Sequence, residues 1–205
     1  MKPVIRIAHD IICPWCWIAY HQAKVLAAEF DIEFEWVGHE LYPPDMAWPE
    51  PSSAPAEEHN PRRAPVPTRM ELAYAASGMT PPPPNIRPKG MRSHNVLLAL
   101  EWAKSQGVFG ALHSKLYEAF WLEGHNVNDL EVLKDLASQI GLDSGTMISS
   151  VESEEFADKI IPFDDPSYEA GVYNVPTFFV GQLKLAEQPL PVLRSAIEQW
   201  LKQKH

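Results

Sequence analysis

The chain has 205 residues, 45% of them hydrophobic, which is enough for a sizeable core in one domain or in one domain carrying an insertion. Its formal charge of -10 is spread along the chain rather than held in a tail, with -7 of it in residues 91–205. Such a surface repels phosphate backbones and anionic lipid, which argues against nucleic-acid and membrane partners.

The apolar run from Ile11 to Tyr20 follows His9 and Asp10 with no basic lead-in, so it does not read as a signal peptide. No other stretch approaches the roughly 18 uninterrupted apolar residues of a membrane span. The expectation is a soluble, cytoplasmic protein.

Val4 to Ala8 is a short apolar run with β-branched members and predicts a buried strand. Pro14 to about Phe30 turns helical, with Ile18, Ala19, Ala23, Val25 and Leu26 on one broad face. Ile32, Phe34 and Trp36 then alternate with Glu33, Glu35 and Val37, which predicts a second strand.

Eight prolines between Pro43 and Pro67 mark that stretch as loop. A second cluster, Pro81 to Pro84 with Pro88, brackets with it a short helical candidate over Arg69 to Ser77. Polyproline segments lack ladder hydrogen bonds, so a surface excursion is expected here, with a partner-binding polyproline motif as the alternative.

Helices are predicted from about Arg92 to Gln106 and again from Phe109, where Leu112, His113, Leu116, Tyr117, Phe120 and Trp121 recur at helical spacing. That stripe reads as core. Asn128 followed by Glu131 suggests a cap for a helix over Leu130 to Ile140, which Gly141 ends. The whole of 91–150 therefore reads as helical. Thr177 to Val180, a Gly181-Gln182 turn and Leu183 to Leu185 predict a hairpin, and Pro191 to Leu201 a final helix.

Cys13 and Cys16 are the only cysteines and lie within one tetrapeptide, Cys13-Pro14-Trp15-Cys16. A staple that short closes almost no loop, so reactivity or metal binding is the reason for the pair. At a strand-to-helix junction, Cys13 meets the free N–H groups and positive end of the helix, both of which favour thiolate; Pro14 suits the first helical position. Cys13 would then attack and Cys16, one turn on, would resolve the mixed disulfide. Half a zinc site is the other reading, with His9, His21 and His39 nearby in sequence, but no second ligand cluster accompanies it and no metal is expected. Asp10, three before Cys13, reads first as a cap for the turn and second as a proton carrier. His94 and His113 read as ordinary helix histidines.

Strand, helix and strand with the cysteine pair at the helix start, followed far downstream by Val175-Pro176-Thr177 entering a hairpin and a last helix, resembles the thioredoxin fold. Several pieces together resemble the DsbA-like group and its FrnE-type branch: Asp10 to Cys16, His39-Glu40-Leu41-Tyr42-Pro43, Glu118 to Gly124, Asn128-Asp129 leading into Leu133, and Ala170-Gly171-Val172 leading into Val175-Pro176.

The resemblance implies an α/β protein, a thioredoxin fold with a large helical insertion between the second strand and the cis-proline half. Residues 1–40 and 151–205 would form the thioredoxin-like domain, and 41–150 the inserted helical domain. It implies Cys13 and Cys16 as catalytic residues, a cis Pro176 facing them, and a substrate-binding surface of Pro14, Trp15, Val175, Pro176 and Thr177. The partner would be a thiol- or disulfide-containing protein or small molecule, with no resident cofactor and glutathione open as a redox partner. The oligomeric expectation is monomer or homodimer. Departures from the group are the irregular proline block and Pro162 and Pro166, which interrupt the helix expected before Pro176.

Two other functions fit the same residues. A related branch, resembling 2-hydroxychromene-2-carboxylate isomerases and kappa-class glutathione transferases, carries serine at the position of Cys13 and binds glutathione. A redox-independent, chaperone-like peptide binder would use the proline tracts and a groove near Pro176.

Overall fold

A computed structural model describes residues 2–48 and 67–204. Most of the proline block predicted over Pro43 to Pro67 lies outside the described residues, and the alternative of a partner-binding motif there lies outside them with it.

β1 (Val4–His9) forms the centre of the sheet, with Ile5, Ile7 and Ala8 fully buried. α1 (Pro14–Glu29) carries the chain back over the sheet and β2 (Glu33–Glu40) returns parallel to β1, pairing Val4 with Glu33 through His9 with Gly38. A parallel pair needs a crossover of this kind, because a tight turn can only reverse the chain. On α1 the expected apolar face buries Ile18, Ala19, Ala23 and Leu26 but leaves Val25 partly exposed. Its buried side is completed instead by Cys16, Trp17, Tyr20 and Gln22.

α2 (Arg69–Ala76) starts at a reciprocal cap, with Thr68 Oγ1 accepting from the Glu71 N–H and the Glu71 carboxylate accepting from the Thr68 N–H. Only Tyr74 of this helix is buried.

α3 (His94–Ser105), α4 (Phe109–Trp121), α5 (Leu130–Gln139) and α6 (Ser144–Glu152) pack on one another, and α3 also meets β2. The stripe from Leu112 to Trp121 is core, as its spacing predicts. The cap of α5 is one residue later than the sequence suggests. Asp129 accepts from the N–H groups of Glu131 and Val132, while the Asn128 side chain is drawn to α3, where its Oδ1 accepts from the Val96 N–H.

In place of one continuous helix before Pro176 there are a 3-10 turn, a short strand β3 (Ile161–Pro162) and the short α7 (Asp165–Glu169). Proline tolerates both positions. Pro162 sits on an edge strand and Pro166 in the first turn of a helix, where a missing N–H costs no hydrogen bond.

β4 (Thr177–Val180) runs antiparallel to β1, and β5 (Leu183–Ala186) closes the hairpin. The five strands lie in the order β3-β2-β1-β4-β5, and α8 (Leu190–Gln203) packs behind with Leu193 and Ile197 fully buried. Among the described residues no helix is long and apolar enough to cross a membrane.

Candidate active site

The chain leaves β1 at His9 and enters α1 at Pro14, so the intervening loop stands at the end of the central strand. Asp10 organises it. The carboxylate is fully buried and accepts from the N–H groups of Ile12 (3.3 Å) and Leu41 (2.8 Å) and from the Ser93 hydroxyl (2.8 Å). Burial pushes its pKa up to about 6; the three donors pull the other way without offsetting it, and the neighbouring Glu40 adds to the rise. The capping role expected of Asp10 is therefore present, and it joins the loop to β2 and to the start of α3.

A second anchor comes from α4. Trp121 donates its indole N–H to the Ile11 carbonyl at 2.9 Å, and the Tyr117 hydroxyl meets His9 Nδ1 at 3.2 Å. The residue that caps α3 and the last residue of α4 thus both hold the loop.

Cys13 is the N-cap residue of α1 with extended backbone angles, and its carbonyl accepts the first helical hydrogen bonds, from Cys16 and Trp17. Both cysteines are free and both are buried, Cys16 completely. Burial pushes the Cys16 thiol well above its ordinary pKa, and its hydrogen bond to Cys13 adds to this.

The distant Val175 arrives at the same place. Its carbonyl oxygen lies 3.2 Å from the Cys13 sulfur, which donates to it, and the Val175–Pro176 peptide bond is cis. Thr177 is turned inward, 2% exposed, with its hydroxyl donating to the Asn174 carbonyl at 2.6 Å. Of the residues singled out by sequence, Cys13, Cys16 and Val175 thus meet around one sulfur. Pro14 is exposed and Trp15 half-buried at the rim, while Thr177 is spent on the loop.

Two neighbours of the site escape sequence reading. Arg69, from α2, lies over the Trp15 ring at 4.6 Å and pairs with Glu187, after β5, at 2.6 Å. Together with Leu72, Ala73 and Pro189 these three line a cavity of about 400 Å³ beside the cysteine loop. No local pattern could have indicated them, because three separate segments meet there. The histidines keep structural roles: His94 pairs with buried Glu40 at 2.9 Å, and His113 is packed among Trp36, Phe109 and Tyr117.

The DSBA-like thioredoxin domain matches residues 4–198, nearly the whole chain. The uncharacterized protein YwbO of Bacillus subtilis is 26% identical over 181 residues, which is 86% of either chain. Among solved structures, the probable DsbA oxidoreductase SCO1869 of Streptomyces coelicolor superposes with a TM-score of 0.65 at 20% identity, covering 98% of this chain and 90% of that one. The cytosolic disulfide reductase DsbM of Pseudomonas aeruginosa gives the same TM-score at 18% identity, covering 98% and 99%; it has also been solved with GSH. At such identities the two structures speak for the fold alone. By the extent of the domain match, this chain belongs to the DsbA-like thioredoxin domain family.

Proposed function

We propose that the protein is a thiol–disulfide oxidoreductase that exchanges disulfides through Cys13 and Cys16, as a DsbA-like enzyme of the FrnE type. The observation that carries this reading is the position of Cys13: a free cysteine at the N-terminus of α1, with the backbone of Val175 against its sulfur.

In this mechanism the Cys13 sulfur, as thiolate, attacks one sulfur of a substrate disulfide. The substrate S–S bond breaks, one substrate sulfur leaves as a thiol, and the other is held in a mixed disulfide with Cys13. Cys16 then loses its proton and attacks Cys13, forming the Cys13–Cys16 disulfide and releasing the second thiol. Two electrons have passed to the substrate. Two further thiols restore the dithiol, and the GSH-bound structure of DsbM supports glutathione for that step. Complete burial of Cys16 suits a resolving thiol, which should be silent until a mixed disulfide forms beside it.

Trp15, Pro14 and the Val175–Pro176 segment form the surface on which a substrate would lie in this reading, and α2, within the inserted part 41–150, shapes one side of it. A cytoplasmic site of action belongs to the same proposal, and the cytosolic DsbM is consistent with it. Reduction of a protein disulfide with glutathione as donor tests the reading against its rival. Activity should vanish in Cys13→Ser, whereas a glutathione-dependent isomerase would keep its activity with serine there.

A further inference from the structure

We propose that Tyr168 and Tyr173 form a subsite for a lysine or arginine side chain that a polypeptide substrate carries close to its reacting cysteine. This rests on the oxidoreductase reading above and names the substrate class.

The segment that leads to Val175 alternates sharply in burial. Gly171 and Val172 are buried, Tyr173 and Asn174 are exposed, and Val175 and Pro176 are buried again. Tyr173, 70% exposed, therefore projects from a segment held at both ends, only two residues before the carbonyl that touches the Cys13 sulfur. Consecutive Cα atoms are about 3.8 Å apart, so its backbone stays within roughly 8 Å of Val175.

One face of Tyr173 is used: it stacks on Tyr168 of α7, with centroids 5.9 Å apart and planes at 20°. Tyr168 is itself 45% exposed and meets Phe163 edge-on. The support beneath is rigid. The Ser167 hydroxyl donates to the Pro162 carbonyl and meets His39 Nδ1, the Val172 N–H donates to the Ser167 carbonyl, and Thr177 closes the turn onto Asn174. Core packing gives no reason for two large rings to stand in water. Exposed stacked tyrosines on a rigid ledge are what a binding surface presents.

The chemistry of the occupant follows from the surroundings. From Ile160 to Val175 the chain carries Asp164, Asp165 and Glu169 and no lysine or arginine. Lys184 of β5 reaches this segment from outside it, with its ammonium donating to the Ala170 carbonyl. An open tyrosine face on a segment whose own charged side chains are all carboxylates favours a cation over its ring and disfavours an anionic small thiol.

The test compares two peptide disulfides that differ only in the residues flanking the cysteines, arginine in one and glutamate in the other, with glutathione disulfide as a third substrate and a small synthetic dithiol as the electron donor for all three. Wild-type protein should prefer the arginine peptide in kcat/KM. Tyr173→Leu should shrink that preference about two- to five-fold, Tyr173→Phe should retain it, and turnover of glutathione disulfide should be unchanged in both. An arginine-to-glutamate ratio unaltered in Tyr173→Leu, with all substrates still turned over, overturns the subsite alone. Wild-type protein inert toward every disulfide overturns the oxidoreductase reading and the subsite with it.

Discussion

The Cys13 sulfur and the Val175 carbonyl oxygen stand 3.2 Å apart, although 162 positions separate the two residues in the chain. The contact exists because β1 and β4 are neighbours in the sheet, with Ala8 opposite Thr177, so that the loops leaving one strand and entering the other converge at the same end. The order of attack proposed for the two cysteines depends on this geometry.

Cys16→Ala should therefore stop the reaction halfway. Incubated with glutathione disulfide, the variant should accumulate a stable adduct with one glutathione on Cys13, while the wild-type protein resolves it. Intact-mass measurement reads the difference, and an adduct equally stable in wild type would remove Cys16 from the mechanism.

Arg69→Ala should loosen the side of the site formed by α2, because the guanidinium both covers Trp15 and pairs with Glu187. Arg69 is largely exposed, so the stability cost should be below about 1 kcal/mol. The indole emission of Trp15 should change and KM for a peptide disulfide should rise several-fold. A shift in melting temperature with no change in KM would make this contact purely structural.

Asp10 links the site to pH. Its folded pKa, about 6, exceeds the ordinary carboxylate value, so the folded state holds a proton that the unfolded chain has already lost. Stability then falls as pH rises from about 4 to 6, by at most about 3 kcal/mol at 1.36 kcal/mol per unit. Asp10→Asn should flatten this stretch of the stability profile measured by urea unfolding. Parallel profiles for the two proteins would contradict the assignment.

The buried histidine works in the opposite direction. His113 stays neutral down to about pH 3 because burial opposes its charging, with Lys104 adding to the effect, whereas in the unfolded chain it would take a proton near 6.5. Folding is thus penalised as pH falls below 6.5. Among the described residues its Nε2 also has no hydrogen-bond partner. His113→Phe should make the acid limb between pH 6.5 and 4 shallower, though buried His9, also held neutral, leaves part of it in place. An acid limb as steep as in wild type would show that His113 is not held neutral.

The sequence made some of this legible and hid the rest for physical reasons. Strands β1 and β2 carry clear patterns, and Gly181, at φ +60°, marks the hairpin turn as its residue type suggests. β3 could not be read, because two residues ending in proline carry no periodicity and pair only through the register that β2 offers them. The choice between Asn128 and Asp129 as cap was equally invisible: both side chains can cap, and the demand of α3 for Asn128 decides it. Cys13, Cys16 and Val175 were accessible through motif and order. Arg69, Glu187 and the stacked tyrosines were not, since their significance comes from which segments meet, not from any local pattern.

The central claim is that Cys13 and Cys16 cycle between dithiol and disulfide. Equilibrating the protein across a series of glutathione redox buffers and quantifying the free thiols by mass tests it most directly. The account predicts a two-electron transition to an intramolecular Cys13–Cys16 disulfide, absent in Cys13→Ser. A protein whose two thiols never join, even in fully oxidised glutathione, would contradict it.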